Sequence, residues 1–182
     1  MIDKHETKQL FAGSHLSVMA RGNWEFVTRK TRTPTVGIVA ITNDNRVVLV
    51  EQYRLPVGHS VIELPAGLSG DIVGLENESS LESAKRELLE ETGYEAAKWT
   101  ELTTGYSSPG LTDESIVLFL AEGLTKRTLG GGDATEAITI HEVPLEVVMG
   151  WLASKGAHAD LKLLAGLYAV QEYRKQRGSS DG

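Results

Sequence analysis

The sequence contains no cysteine. That excludes a disulfide framework, a thiolate zinc site and a cysteine nucleophile. It also lacks any apolar run approaching the ~18 residues that a membrane-spanning helix needs. Positive charge is short too, with 18 Lys and Arg against 25 Asp and Glu and a net charge of −7. Binding to nucleic acid or to an anionic membrane calls for a basic face, so both partners are disfavoured. A small phosphate ligand held by a few arginines and a metal ion is not. The first residues, Met1 to Glu6, are polar and carry acids, unlike a signal or transit peptide. A cytoplasmic location is therefore the default expectation. What is present is ordinary for a globular domain: 182 residues, 41% hydrophobic and 24% charged, enough for one domain with a substantial core.

Short runs near the N-terminus, Gln9–Phe11, His15–Met19 and Trp24–Arg29, alternate apolar and polar residues around a Gly22-Asn23 turn. They read as a small antiparallel unit. An isolated hairpin is marginal in water, so this piece must pack on the main domain or on a second subunit. Beyond the connector Lys30–Pro34, strands are expected at Thr35–Thr42, Arg46–Arg54 and Val61–Gly67. Further strands are expected at Trp99–Thr104, Glu114–Ala121 and Ala137–Val143. A helix from Pro144 to about Ser154 should bury Leu145, Val148, Met149 and Leu152. A last helix from about Asp160 to Gln176 should bury Leu161, Leu164, Leu167 and Tyr168. The stretch 125–135 reads as a mobile loop. The sum is an α+β fold, an α/β/α sandwich around a mixed β-sheet.

The most informative stretch lies between these strands. Ser79 and Glu82 fit a capping box, Leu81, Ala84 and Leu88 make an apolar stripe, and Gly93 stands where a helix C-cap belongs. On that helix Glu87, Glu90 and Glu91 fall within an arc of about 100°. Glu87 and Glu91 repel as an i,i+4 pair, and all three acids sit at the negative end of the helix dipole. Two readings fit: a solvated helix face, or a site for a hard divalent cation, which Mg²⁺ typically fills with one or two carboxylates plus substrate phosphates.

The spacing Glu78-x7-Arg86-Glu87-Leu88-x-Glu90-Glu91-x-Gly93-Tyr94 resembles the signature of the Nudix hydrolase family. The leading glycine of that signature matches Gly67, but ten residues separate it from Glu78 where the family has five, so 68–77 reads as an insertion. The motifs Trp24-Glu25, Gln52-Tyr53-Arg54 and Glu63-Leu64-Pro65-Ala66-Gly67 resemble the ADP-ribose and ADP-sugar pyrophosphatase branch. Pro109, placed 16 residues after Gly93 and shortly before Glu114, adds to that likeness.

The resemblance implies a Nudix fold at 34–178, an N-terminal β subdomain at 1–33 that dimerises, and a tail at 179–182. It implies a homodimer that hydrolyses the pyrophosphate bond of a nucleoside diphosphate sugar with Mg²⁺, or Mn²⁺ in its place. Other diphosphate substrates, such as GDP-mannose or a dinucleoside polyphosphate, and a non-catalytic nucleotide-sensing module stay open as alternatives. The implied metal ligands are Glu87, Glu91, Glu90 and the Ala66 carbonyl. Arg86 and Glu90 join the catalytic set together with Glu136, the expected base, for which Asp133 and Glu142 are alternatives. Arg54 is expected to hold the diphosphate. Glu63, Trp24, Pro109 and Glu114 are expected to contact substrate, with core packing the competing role for Trp24 and a salt bridge that for Glu63. The five histidines are scattered without the spacing of a zinc site.

Overall fold

The computed structural model describes residues 6–70, 74–75, 77–132, 137–156 and 158–180. A three-stranded antiparallel sheet opens the chain: β1 (Thr7–Ala12), β2 (Leu16–Arg21) and β3 (Trp24–Arg29). The β2–β3 hairpin pairs Arg21 with Trp24 across Gly22, whose φ is +62°. The main sheet then forms from β4 (Thr35–Ile41), β5 (Arg46–Arg54), β6 (His59–Glu63) and β7 (Ala66–Leu68). Helix α1 (Ser80–Thr92) follows, then β8 (Tyr94–Tyr106), β9 (Ser115–Lys126) and β10 (Thr139–Pro144). A 3₁₀ turn at Leu145–Val147 leads into α2 (Val148–Ser154), the two-residue β11 (His158–Ala159) and α3 (Leu161–Ser180).

The central order is β11-β6-β5-β4-β9-β8, with β10 on β5 and β7 on β4. β4–β9 and β11–β6 are parallel and the other pairs antiparallel, so the sheet is mixed. Both faces are covered. On β4 and β9, Val36, Ile38, Val117 and Phe119 meet Ala84 and Leu88 of α1. The alternate residues Val39, Ile41, Leu118 and Leu120 meet Val148 and Leu152 of α2 and Leu163 and Val170 of α3. This is the α/β/α sandwich with a small antiparallel sheet appended. Each fully buried Leu, Val or Ile stabilises it by about 1.5–3 kcal/mol relative to exposure. Among the described residues no helix is long and apolar enough to cross a membrane.

The N-terminal sheet packs on the main body of its own chain. Val27 N–H donates to Leu111 O at 2.8 Å, Trp24 Nε1 to Gly110 O at 3.2 Å and Thr28 Oγ1 to Asp113 at 3.0 Å.

Several elements differ from expectation. The run 61–67 is two strands, because Pro65 has no N–H for the ladder; its carbonyl accepts instead from Ile38 N at 2.9 Å. β8 and β9 are longer than expected, and β8 starts at Tyr94 directly after the helix cap. In α2 Val148 and Leu152 are buried and Leu145 packs on the core as expected, but Met149, one residue past Val148, points out at 57% exposure. In α3 Leu161 and Tyr168 are exposed, while Leu163 and Val170 are fully buried. Gly166 decides this, because a Cβ there would lie 2.8 Å from Val39 and Leu64 side-chain atoms. The helix approaches the sheet at Gly166. It also continues through Gly178 to Ser180, past the boundary expected for the tail.

Two glycine-to-alanine changes should therefore have opposite signs. Gly166→Ala forces overpacking and should destabilise by about 1–3 kcal/mol. Gly150→Ala, in α2 with open space around its Cβ, should stabilise by about 0.5–1 kcal/mol. Urea unfolding of both variants measures the pair.

Candidate active site

The acidic helix is held from both ends. At its start Ser79 Oγ accepts from Glu82 N at 3.2 Å. At its end Gly93 adopts φ +71° and donates to Leu89 O. The last-turn carbonyls, which an acidic helix end leaves electrostatically exposed, are covered by the segment after β9. Lys126 Nζ donates to Thr92 O at 2.6 Å. Gly131 N donates to Glu91 O at 2.8 Å and Gly132 N to Glu90 O at 3.2 Å. Positive charge thus arrives from a distant strand. The fit is tight, since a Cβ on Gly130 would lie 2.4 Å from the carbonyl carbon of Thr92.

The carboxylates are arranged around Arg86. Its guanidinium donates to Glu87 Oε1 at 2.8 Å and to Glu90 Oε2 at 3.3 Å. It also donates to Glu78 Oε2 and to Leu68 O, both at 3.3 Å. Burial works against the charge, but Glu87 and Glu78 outweigh it and hold the Arg86 pKa above its ordinary value. Glu78 is fixed further by Ser83 Oγ at 2.8 Å. Glu91 is 3% exposed, and its Oε2 accepts from Ala66 N at 3.0 Å. Gly67 lies so close to Glu87 that a Cβ on it would sit 2.0 Å from the carboxylate. The β7 corner and the last turns of α1 therefore meet with no room for a side chain between them.

These groups open on a cleft of about 720 Å³. Of the expected site residues, Arg54, Glu63, Ala66, Glu87, Glu91 and Glu114 line it together. Arg54 is joined to the buried Glu63 by a two-point ion pair, Nε–Oε1 at 2.5 Å and Nη2–Oε2 at 3.0 Å. Glu114 accepts from Arg29 Nε at 2.8 Å and Thr35 Oγ1 at 3.2 Å. Burial pushes its carboxyl up, but hydrogen bonds from Arg29, Ser107 and Thr35 prevail and leave its pKa below the ordinary range. Arg86 and Glu90 lie behind and beside the cleft residues, with the Glu90 side chain 51% exposed.

Trp24 and Pro109 are elsewhere. They line a separate cavity of about 440 Å³ with Phe26 and Tyr106, and Trp24 is 60% exposed. Glu136 and its alternative Asp133 fall outside the described residues. Glu142 accepts from Tyr94 Oη at 2.6 Å and does not line the cleft; burial and that carboxylate push the phenol up to about 12. Sequence reasoning missed His59 and His158, whose rings stack in the cleft with centroids 3.8 Å apart. Only the parallel pairing of β11 with β6 brings them together, and no local spacing signals it.

Among the described residues no three acidic or histidine side chains form a ready-made cage for an ion. The oxygen donors of Glu87 and Glu91 beside the Ala66–Gly67 corner nonetheless suit a hard divalent cation, which completes its shell with water and phosphate.

Comparison with known proteins identifies the family. The NUDIX domain family model matches residues 31–167, and the chain belongs to that family of hydrolases. A methanol dehydrogenase activator from Bacillus methanolicus is 36% identical over 144 residues, covering 78% of this chain and 75% of the relative. An ADP-ribose pyrophosphatase from Bacillus subtilis is 38% identical over 141 residues, covering 75% and 69%. A solved structure described as an ADP compounds hydrolase superposes with a TM-score of 0.77 at 23% identity, over 95% of this chain and 94% of that one; it shows the same fold. Nudix hydrolases generally use divalent metal ions.

Two outcomes are expected. Gly67→Ala must displace the Glu87 carboxylate, so Mn²⁺ affinity by calorimetric titration of the folded variant should fall about tenfold or more. Glu114 has a depressed folded pKa, so its contribution is full above its ordinary 4.5 and is lost as pH falls through the lower folded value. Glu114→Gln should therefore be destabilising at pH 7, with the difference shrinking below about pH 4.5 in denaturation at stepped pH.

Proposed function

We propose that the protein hydrolyses the pyrophosphate bond of a nucleoside diphosphate sugar of the ADP-ribose or ADP-sugar class, with Mg²⁺ or Mn²⁺, giving a nucleoside monophosphate and a sugar phosphate. The observation that carries this reading is the placement of Glu87 and Glu91 beside the Ala66–Gly67 corner, in one cleft with Arg54. The ADP-ribose pyrophosphatase relative supports the substrate class.

The metal, when bound, supplies charge neutralisation at the bridging phosphates and a lower pKa for the attacking water. Glu87 and Glu91 would hold it, with the Ala66 carbonyl and Glu90 completing the protein's share. Arg86 holds Glu87 aimed through the 2.8 Å ion pair, and the neighbouring Glu87 and Glu78 keep its own guanidinium charged despite its partial burial. Arg54 grips the diphosphate, and its pairing with Glu63 fixes the fork before substrate arrives, which suits two-point phosphate recognition. In the reaction a new P–O bond forms to water and the bridging P–O bond breaks. The water's proton goes to a base, for which Glu136 is the first candidate and Asp133 the second.

A homodimer in the cytoplasm completes the proposal. Leu10, Phe11, Leu16 and Trp24 leave an exposed apolar surface on the N-terminal sheet, and a second copy of that sheet is a fitting cover. Trp24 and Pro109 would then serve substrate through the assembled dimer, not through the cleft of their own chain.

Phosphate-coupled assays with Mg²⁺ across ADP-ribose, ADP-glucose, GDP-mannose and dinucleoside polyphosphates test the reading. Turnover should be greatest with an ADP-sugar, and Glu91→Gln should lower kcat by about 10³-fold or more. Arg54→Ala should raise KM by about tenfold or more. Unchanged kcat in Glu91→Gln would refute the metal assignment. Binding of nucleotide sugars without turnover would favour a sensing module.

A further inference from the structure

One part of the cleft has no role in the mechanism above. His59 opens β6 directly across the ladder from Arg54, and its ring stacks on that of His158 with planes tilted by 35°. His59, Val61 and Glu63 alternate along β6 and all face the cleft. At about 3.3 Å per residue, His59 lies roughly 13 Å along the strand from Glu63. That distance spans a phosphate and a sugar ring beyond the metal corner. Behind the histidines, Asp160 N donates to Ile62 O at 3.0 Å, and Asp160 forms an ion pair with Lys162 that closes the wall.

The two ends of the cleft differ in how their polar groups are used. At the Glu114 end, Arg29 and Thr35 are bound to the same carboxylate. At the other end, among the described residues, neither imidazole makes a side-chain hydrogen bond, although both line the cavity. Imidazole edges can give or take hydrogen bonds from hydroxyls, and their flat faces pack against the C–H surface of a ring. Few convergent polar groups on an apolar wall are what fixes the orientation of a small ligand.

We propose that the stacked His59 and His158 form the subsite for the sugar carried on the distal phosphate, a polyol ring of pentose or hexose size. This rests on the nucleotide-sugar reading given above. Arg54 and His59, as cross-strand neighbours, hand the ligand from diphosphate to sugar in one step of the ladder. The histidines act on sugar recognition and leave the chemistry at the metal corner alone.

The test compares His59→Ala, His158→Ala and the milder His158→Gln with the unaltered protein. ADP-ribose and the sugar-free methyl ester of ADP are the substrates. The imidazole ¹⁵N resonances of the unaltered protein are followed during titration with ribose 5-phosphate and assigned through the variants. The expected result is a KM for ADP-ribose raised about tenfold by either alanine change, kcat within about twofold, and an unchanged KM for the methyl ester. Both imidazole resonances should shift with the sugar phosphate. Equal effects on the two substrates, no effect on either, or imidazoles silent to ribose 5-phosphate would overturn the assignment. If the unaltered protein cleaves neither substrate and the imidazoles still shift, the hydrolase reading falls and the sugar subsite stands.

Discussion

The site depends on a cation that the protein itself supplies. Arg86 sits partly buried among Glu78, Glu87, Glu90 and the Leu68 carbonyl, and it ties Leu68, at the end of β7, to the last turns of α1. Removing Arg86 would leave the partly buried Glu78 and Glu87 without their shared counter-charge, which is destabilising. The same contacts fix which way Glu87 points. The acidic cluster is thus neutralised in part from behind, while Glu87 and Glu91 keep one side toward the cleft. A divalent ion on that side would complete a neutralisation that Arg86 begins.

The second constraint is close backbone approach. Gly67 lies against Glu87, and Gly93 and Gly130 lie against each other's neighbours with no space for a Cβ. Through these contacts the helix that bears the carboxylates is clamped between the β7 corner and the segment after β9. The N–H groups of Gly131 and Gly132 cap carbonyls of Glu91 and Glu90 themselves. The backbone of that segment is therefore registered to the residues that would hold the metal.

Much of this was legible in the sequence. The glutamate spacing, the Ser79 and Gly93 caps and the apolar stripe of Ala84 and Leu88 are local signals, and the helix carrying them begins and ends where they point. Strand identities in the core were legible for the same reason. What needed the third dimension is non-local. The phase of α3 is chosen by Gly166 against Val39 and Leu64, not by the distribution of leucines. The pairing of Arg54 with Glu63 needs the β5–β6 register, and the stacking of His59 on His158 needs a parallel strand of two residues. The relief of the helix dipole by Lys126 arrives from a strand far along the chain. Trp24, expected to contact substrate through a family likeness, lines a cavity apart from the acidic cleft, together with Pro109.

Crystals soaked in Mn²⁺ and measured at its absorption edge test the metal corner itself. Anomalous density should appear within about 2.0–2.3 Å of carboxylate oxygens of both Glu87 and Glu91, next to Ala66. Density elsewhere on the molecule with none at this corner, or no ordered Mn²⁺ at millimolar concentration, would contradict the metal site on which the proposed chemistry rests.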